Sequence, residues 1–142
     1  MEALYTEDQI FIPIISDYGF KATFGNEANT LFLRKALQAL IKSEIPIKEV
    51  KFDKNTFEGI TQDGRSGILD LACTDENNNH FIVEMQYGEA PYFVQRMKFY
   101  ALHKFNEMVK RGKFDYGTLT KIYCVAILAN NILPYSHFHS AA

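Results

Sequence analysis

Apolar and polar positions alternate through two stretches, Gly67-Ile68-Leu69-Asp70-Leu71-Ala72-Cys73 and Phe81-Ile82-Val83-Glu84-Met85-Gln86. A period of two is the pattern of a half-buried strand. Between them Asp75-Glu76-Asn77-Asn78-Asn79-His80 is rich in turn formers, so the pair reads as a β-hairpin. Upstream the period lengthens. Leu33, Leu37, Leu40 and Ile41, with Phe32 and Ala36, recur at the spacing of one buried helix face and predict a helix over 27–42. Asn26 suits its N-cap and Pro46 marks its exit. Ile47 to Phe52 and Thr56 to Ile60 read as one or two short strands, and Gln62 to Ser66 as a turn. A second helix is predicted over 91–111, opened by Pro91 and stopped by Gly112. Its apolar residues Phe93, Met97, Tyr100, Ala101, Phe105 and Met108 cover a wide arc. Lys121 to Ala129 is apolar almost throughout, as in a strand covered on both faces. Pro13, Gly19 and Gly25 argue against one long helix over residues 1–25.

The hairpin register has a chemical consequence. Residues two apart share a face, so Glu84 and Gln86 point the same way. Asp70 joins them only if paired residue numbers sum to an even value, which requires an odd-length loop. A three-residue loop, Asn77 to Asn79, would pair Glu76 with His80 and set Asp70 across from Gln86. Glu84 would then be the diagonal neighbour, roughly 7–8 Å away. The same odd loop collects Leu69, Leu71, Cys73, Phe81, Val83 and Met85 on the opposite face as a core.

Two acids within strands are unusual, because Asp and Glu are depleted there. On the plainer reading they sit on a solvated face. Ile68, Ala72 and Ile82 share that face, which argues against it. Like charges placed close across strands repel by roughly 0.2–1 kcal/mol unless a cation lies between them. Carboxylate and amide oxygens are hard ligands that suit Mg²⁺, Mn²⁺ or Ca²⁺.

Taken with the rest of the chain, the segment Ile68–Gln86 resembles the motif of the PD-(D/E)xK nuclease superfamily. That motif is an acid on one strand followed by Glu-x-Lys on the next. Here the last position is glutamine, the variant typical of the bacterial recombination-promoting nuclease and transposase family. Phe11-Ile12-Pro13-Ile14-Ile15-Ser16-Asp17-Tyr18-Gly19-Phe20-Lys21-Ala22-Thr23-Phe24-Gly25 is similar to that family's amino-terminal signature, with Asn26–Ile41 as the helix that follows. Arg96 with Phe99-Tyr100 resembles its Arg-x-x-x-Tyr helix, and Ile122–Leu128 its next strand. The resemblance implies an α/β, restriction-endonuclease-like core of order α-β-β-β-α-β, a mixed sheet flanked by helices. It also implies metal-dependent cleavage of DNA phosphodiesters. Residue by residue it maps the first acid to Asp70, the second to Glu84 and the lysine position to Gln86. It suggests Mg²⁺ or Mn²⁺ held by Asp70, Glu84 and the Met85 backbone carbonyl, with Glu27 as a further ligand candidate. The plainer role for Glu27 is a first-turn acid favoured by the helix dipole. A homodimer is expected from the same source. Because family members continue past this point, the chain also looks shortened at its end.

Arg96, His103 and Lys110 recur every seven residues. His103 and Lys110 read as solvated surface. Arg96, near the start of the helix after the Glu84 strand, is the better candidate to face a DNA phosphate, with Arg65 and Lys98 as further sources of positive charge.

With 142 residues, the chain (1–142) suits a single nuclease-like domain with a real core. A net charge of −2 excludes a generically basic nucleic-acid binder, leaving local positive charge to do that work. No stretch approaches the roughly 18–20 apolar residues of a membrane span. Met1-Glu2-Ala3-Leu4 lacks a secretory pattern, and Cys73 and Cys124 both fall in apolar strands as buried reduced thiols. A cytoplasmic protein is the expectation. His137 and His139 form no zinc-like set. No phosphate-cradling glycine loop is present, so a small-molecule enzyme has little support. The competing expectation is a nuclease-like fold that binds DNA or protein without cutting, favoured by glutamine at the lysine position.

Overall fold

The computed structural model describes residues 13–57, 67–88, 90–109 and 115–130. A four-stranded sheet is formed by β1 (Val50–Phe52), β4 (Leu71–Asp75), β5 (His80–Gln86) and β6 (Ile122–Leu128), in the order β1-β4-β5-β6. The first three are antiparallel and β6 lies parallel to β5. That parallel step needs a crossover, which α3 (Phe93–Met108) supplies. Helices α1 (Asp17–Phe24) and α2 (Leu31–Leu40) precede the sheet. A minimal pair, β2 (Thr56–Phe57) with β3 (Gly67–Ile68), is inserted between β1 and β4. Leaving that insertion aside, α2-β1-β4-β5-α3-β6 is the α-β-β-β-α-β order expected from the sequence.

Two apolar layers enclose the sheet. On one face Phe20 and Phe24 of α1 and Leu33 and Leu37 of α2 pack on Leu71, Cys73, Phe81, Val83 and Val125. On the other, Phe93 and Met97 of α3 pack on Leu69, Ala72 and Ile82. Leu37 is fully buried, so Leu37→Ala should cost about 2–5 kcal/mol. Chemical denaturation would show this as a lower midpoint with an unchanged slope.

α1 is held tightly against the turn before it. Ser16 caps it, accepting from the Gly19 N–H at 3.0 Å and donating its hydroxyl to the Pro13 carbonyl at 2.7 Å. A side chain at Gly19 would collide with that carbonyl, which explains the glycine.

The helix predicted over 27–42 is shorter than expected. Asn26 Oδ1 accepts from Ala28 and Asn29 N–H, and Asn29 Oδ1 accepts from the Leu31 N–H. These local bonds compete with helix formation and delay the first turn to Leu31. Glu27 therefore sits in an exposed turn, not on the helix. Phe32 and Leu40 are exposed, although Phe32 meets the Phe24 ring edge-on at 5.2 Å.

The hairpin keeps the expected parity but shifts register by two. Leu71 pairs with Val83 and Thr74 with His80, so the numbers sum to an even value and the line of pairing sets Asp70 opposite Glu84, not Gln86. Asp75 is the reason. Its buried carboxylate accepts from the Asn77 and Asn79 N–H groups and from the Asn79 side chain, at 2.8–2.9 Å. The turn is thus organised from Asp75 onward, and Asn78 takes a left-handed φ of 60° within it.

The Asp70 strand is also interrupted. β3 ends at Ile68 and β4 starts at Leu71, leaving Leu69 and Asp70 outside the ladder. Leu69 exchanges bonds with Asn55 instead, and its side chain joins the α3 layer rather than the opposite face.

β6 is an edge strand among the described residues, with Val125 its buried member. Ala126 and Cys124 are exposed, so the expectation of a strand covered on both faces fails, as does that of a buried Cys124. Both cysteines are free. Arg65, Lys110, Arg111 and Gly112 lie outside the described residues. Within those residues no helix is long and apolar enough to cross a membrane.

Candidate active site

Asp70 and Glu84 meet where the β4–β5 ladder breaks. The Asp70 N–H donates to Glu84 Oε1 at 3.0 Å, and the Met85 N–H donates to Asp70 Oδ2 at 2.8 Å. Two side chains thus stand in for backbone rungs that the bend at Asp70 removes. Each acid keeps its second oxygen outside these two bonds. The Met85 carbonyl leaves the strand on the same side as its amide, toward Asp70.

The two carboxylates differ in environment. Asp70 is exposed, whereas Glu84 is only 6% exposed, on the face covered by α3. Burial pushes the Glu84 carboxyl up to about 7. The Asp70 N–H and the Arg96 charge oppose that rise, and the Asp70 charge adds to it. A buried, raised acid beside a like charge is a functional-site candidate.

Gln86 continues the same face. Its Oε1 accepts from Arg96 Nη2 at 3.3 Å. The Arg96 guanidinium also lies over the Phe93 ring, 5.3 Å from its centroid, and its buried Nε has no hydrogen-bond partner. Arg96 and Tyr100 are one helical turn apart on α3. Burial raises the Tyr100 hydroxyl pKa, followed by the Glu84 charge. The helix therefore brings both members of the Arg-x-x-x-Tyr pair to the acids.

The other candidates separate. Among the described residues no group of three or more His, Cys, Asp or Glu side chains could hold a metal ion. Glu27 is exposed, in the turn before α2, and forms no such group of three with the two acids. Lys98 is exposed, and two residues from Arg96 is about 200° around a helix, so it projects elsewhere. Arg65 lies outside the described residues.

Some polar residues gain a role that their pattern hid. His103, expected on solvated surface, is only 7% exposed, and the Phe99 ring meets it edge-on at 4.7 Å. It lines a small pocket with Lys54, Thr56, Leu69, Tyr100, Lys104 and Glu107. Beside it the Thr74 hydroxyl donates to Asp53 at 2.7 Å, and Lys104 pairs with Asp53 at 3.2 Å and Glu107 at 3.4 Å. No spacing in the sequence signals this cluster, because the chain reversals from β1 to β4 and through α3 create it.

A family model described as PD-(D/E)XK nuclease family transposase matches residues 14–142. The chain belongs to that family, and its mixed sheet with flanking helices is the α/β, restriction-endonuclease-like fold. No significant match was found among curated proteins or among solved structures.

Proposed function

We propose that this protein is a metal-dependent DNA endonuclease linked to recombination or mobile elements, with Asp70 and Glu84 as its Mg²⁺ or Mn²⁺ ligands. The observation that carries this reading is the reciprocal bonding of the two acids, which holds both carboxylates together with the second oxygen of each outside these two bonds. The donor set suits a hard divalent ion: two carboxylates, plus the Met85 carbonyl directed to the same side. When bound, such an ion supplies Lewis-acid polarisation of the phosphate and a water of lowered pKa.

The chain's own residues supply the rest. Asp70 and Glu84 would hold the ion, Asp70 from its exposed position and Glu84, whose carboxyl pKa burial raises, as the carboxylate. Gln86 orients the attacking water through its amide. Glutamine cannot bring the positive charge that lysine supplies in the wider motif. Arg96, reaching Gln86 from α3, puts a guanidinium at that position, where it can stabilise charge developing on the phosphate. Tyr100 flanks the same acids.

Calorimetric titration with Mn²⁺ and a plasmid-nicking assay test the reading together. Asp70→Asn keeps an acceptor for the Met85 N–H but loses the charge, so the ladder bond survives. The expected result is loss of Mn²⁺ binding and of Mg²⁺-dependent nicking, with an unchanged melting temperature. Undiminished nicking by that variant would refute the assignment. Glutamine at the lysine position favours a second reading, a nuclease-fold module that binds DNA or protein without cutting. Absence of Mn²⁺ binding by the intact protein would select it.

A further inference from the structure

The connection from β5 to α3 ends on a residue that its local structure does not favour. Tyr92 is the N-cap of α3, yet its side chain makes no capping bond there. Its φ is 59°, in the left-handed region that glycine and asparagine enter readily and bulky residues do not. Tyr92 is 78% exposed, although the next residue, Phe93, is buried. Asparagine would serve this position better on every count: cap, backbone and solvent. Rules broken together at one residue point to function rather than to folding.

Tyr92 is placed where that function would matter. Its carbonyl accepts the Arg96 N–H at 2.9 Å. Arg96, the residue that reaches Gln86, is therefore one turn further on, about 6 Å along the helix. At the other end of the same connection, Tyr87 directly follows Gln86 and is 51% exposed. Two exposed phenol rings thus bracket the short segment that joins Gln86 to the Arg96 helix. The chain's net charge of −2 offers little general attraction for a nucleic-acid backbone, so affinity must come from local contacts. An exposed ring beside a phosphate-handling site is a platform on which any base can stack.

We propose that Tyr92, with Tyr87 at the other end of the same connection, stacks on an unpaired nucleobase next to the phosphate handled at Asp70 and Glu84, so that the substrate is single-stranded or locally opened DNA. This rests on the nuclease reading and narrows it to a substrate class.

Fluorescence anisotropy with Ca²⁺ at fixed salt tests it, using a labelled single-stranded oligonucleotide and the matching blunt duplex. Tyr92→Asn is the informative variant, because it relieves the backbone and cap and so should raise the melting temperature. It should nonetheless weaken single-strand binding about tenfold. Tyr92→Phe, which keeps the ring, should stay within about twofold of the intact protein. Duplex binding should change less than single-strand binding. Single-strand affinity unaltered in Tyr92→Asn, or an equal loss on the blunt duplex, would overturn the inference while leaving the nuclease reading in place. Failure of the intact protein to bind either DNA would remove that reading and this inference with it.

Discussion

Glu84→Gln should make the metal-free protein more stable above pH 7 while abolishing Mg²⁺-dependent cleavage. Glu84 has a carboxyl raised from 4.5 to about 7 in the folded chain, chiefly by burial. The sign follows from linkage. Between those two values the folded state holds a proton that the unfolded state has released, so stability falls as pH rises. Stability from the protonated form is complete below about pH 4.5 and lost once pH passes about 7. Each unit of difference is worth about 1.4 kcal/mol, so the loss approaches about 3 kcal/mol at pH 8. Glutamine is neutral and keeps an oxygen for the Asp70 N–H, so the variant should escape this loss. Thermal melts in chelator at pH 5 and pH 8 provide the check. The intact protein should melt roughly 10 °C lower at pH 8, and the variant should show little of that difference. Millimolar Mn²⁺ should restore the intact protein at pH 8 and leave the variant unmoved. Identical pH profiles would show that Glu84 ionises freely and that its burial has no energetic consequence.

Arg96→Met should lower the rate of cleavage about 10²–10³-fold, the range for removing one preorganised donor from a developing anion. Methionine keeps much of the apolar stem over Phe93, so the α3 layer should survive. Mn²⁺ affinity should hold steady or rise, because a positive charge leaves the neighbourhood of the acids. That split, slower turnover without weaker metal binding, separates a role in the reaction from one in building the site. Adding Gln86→Lys to the Arg96→Met variant should recover part of the lost rate, by returning a cation to the position Arg96 reaches. Single-turnover rates for the two variants decide it. An unchanged rate in Arg96→Met would leave Gln86 without its charged neighbour in the chemistry.

Much of this was legible in the chain because alternation and helical spacing are local properties. The β5 strand, the α3 crossover and the element order all follow from them. The meeting of Asp70 with Glu84 needs an odd loop, which the apolar pattern of the two strands also asks for. The two-residue offset does not, since it depends on Asp75 turning its carboxylate into its own loop. Leu69 breaks the alternation because Asn55, distant in sequence, captures its backbone. Asn26 looks like a helix-starting residue and instead, with Asn29, holds the turn that precedes the helix. His103 and Cys124 depart from expectation for the same reason in opposite directions. Burial of a polar residue, or exposure of an apolar strand, is decided by what lies across the sheet, and no window of sequence contains that.

The reciprocal bonding of Asp70 and Glu84 ties the hairpin's integrity to its chemistry. On the nuclease reading, a descendant that gave up cutting DNA could not discard these side chains freely, because each also closes a gap in the backbone pairing. Drift there should stop at asparagine and glutamine, which retain the acceptor and shed the charge. Loss of catalysis in this lineage would leave amides as its fossil, and a scan for acidic pairs alone would pass such proteins by.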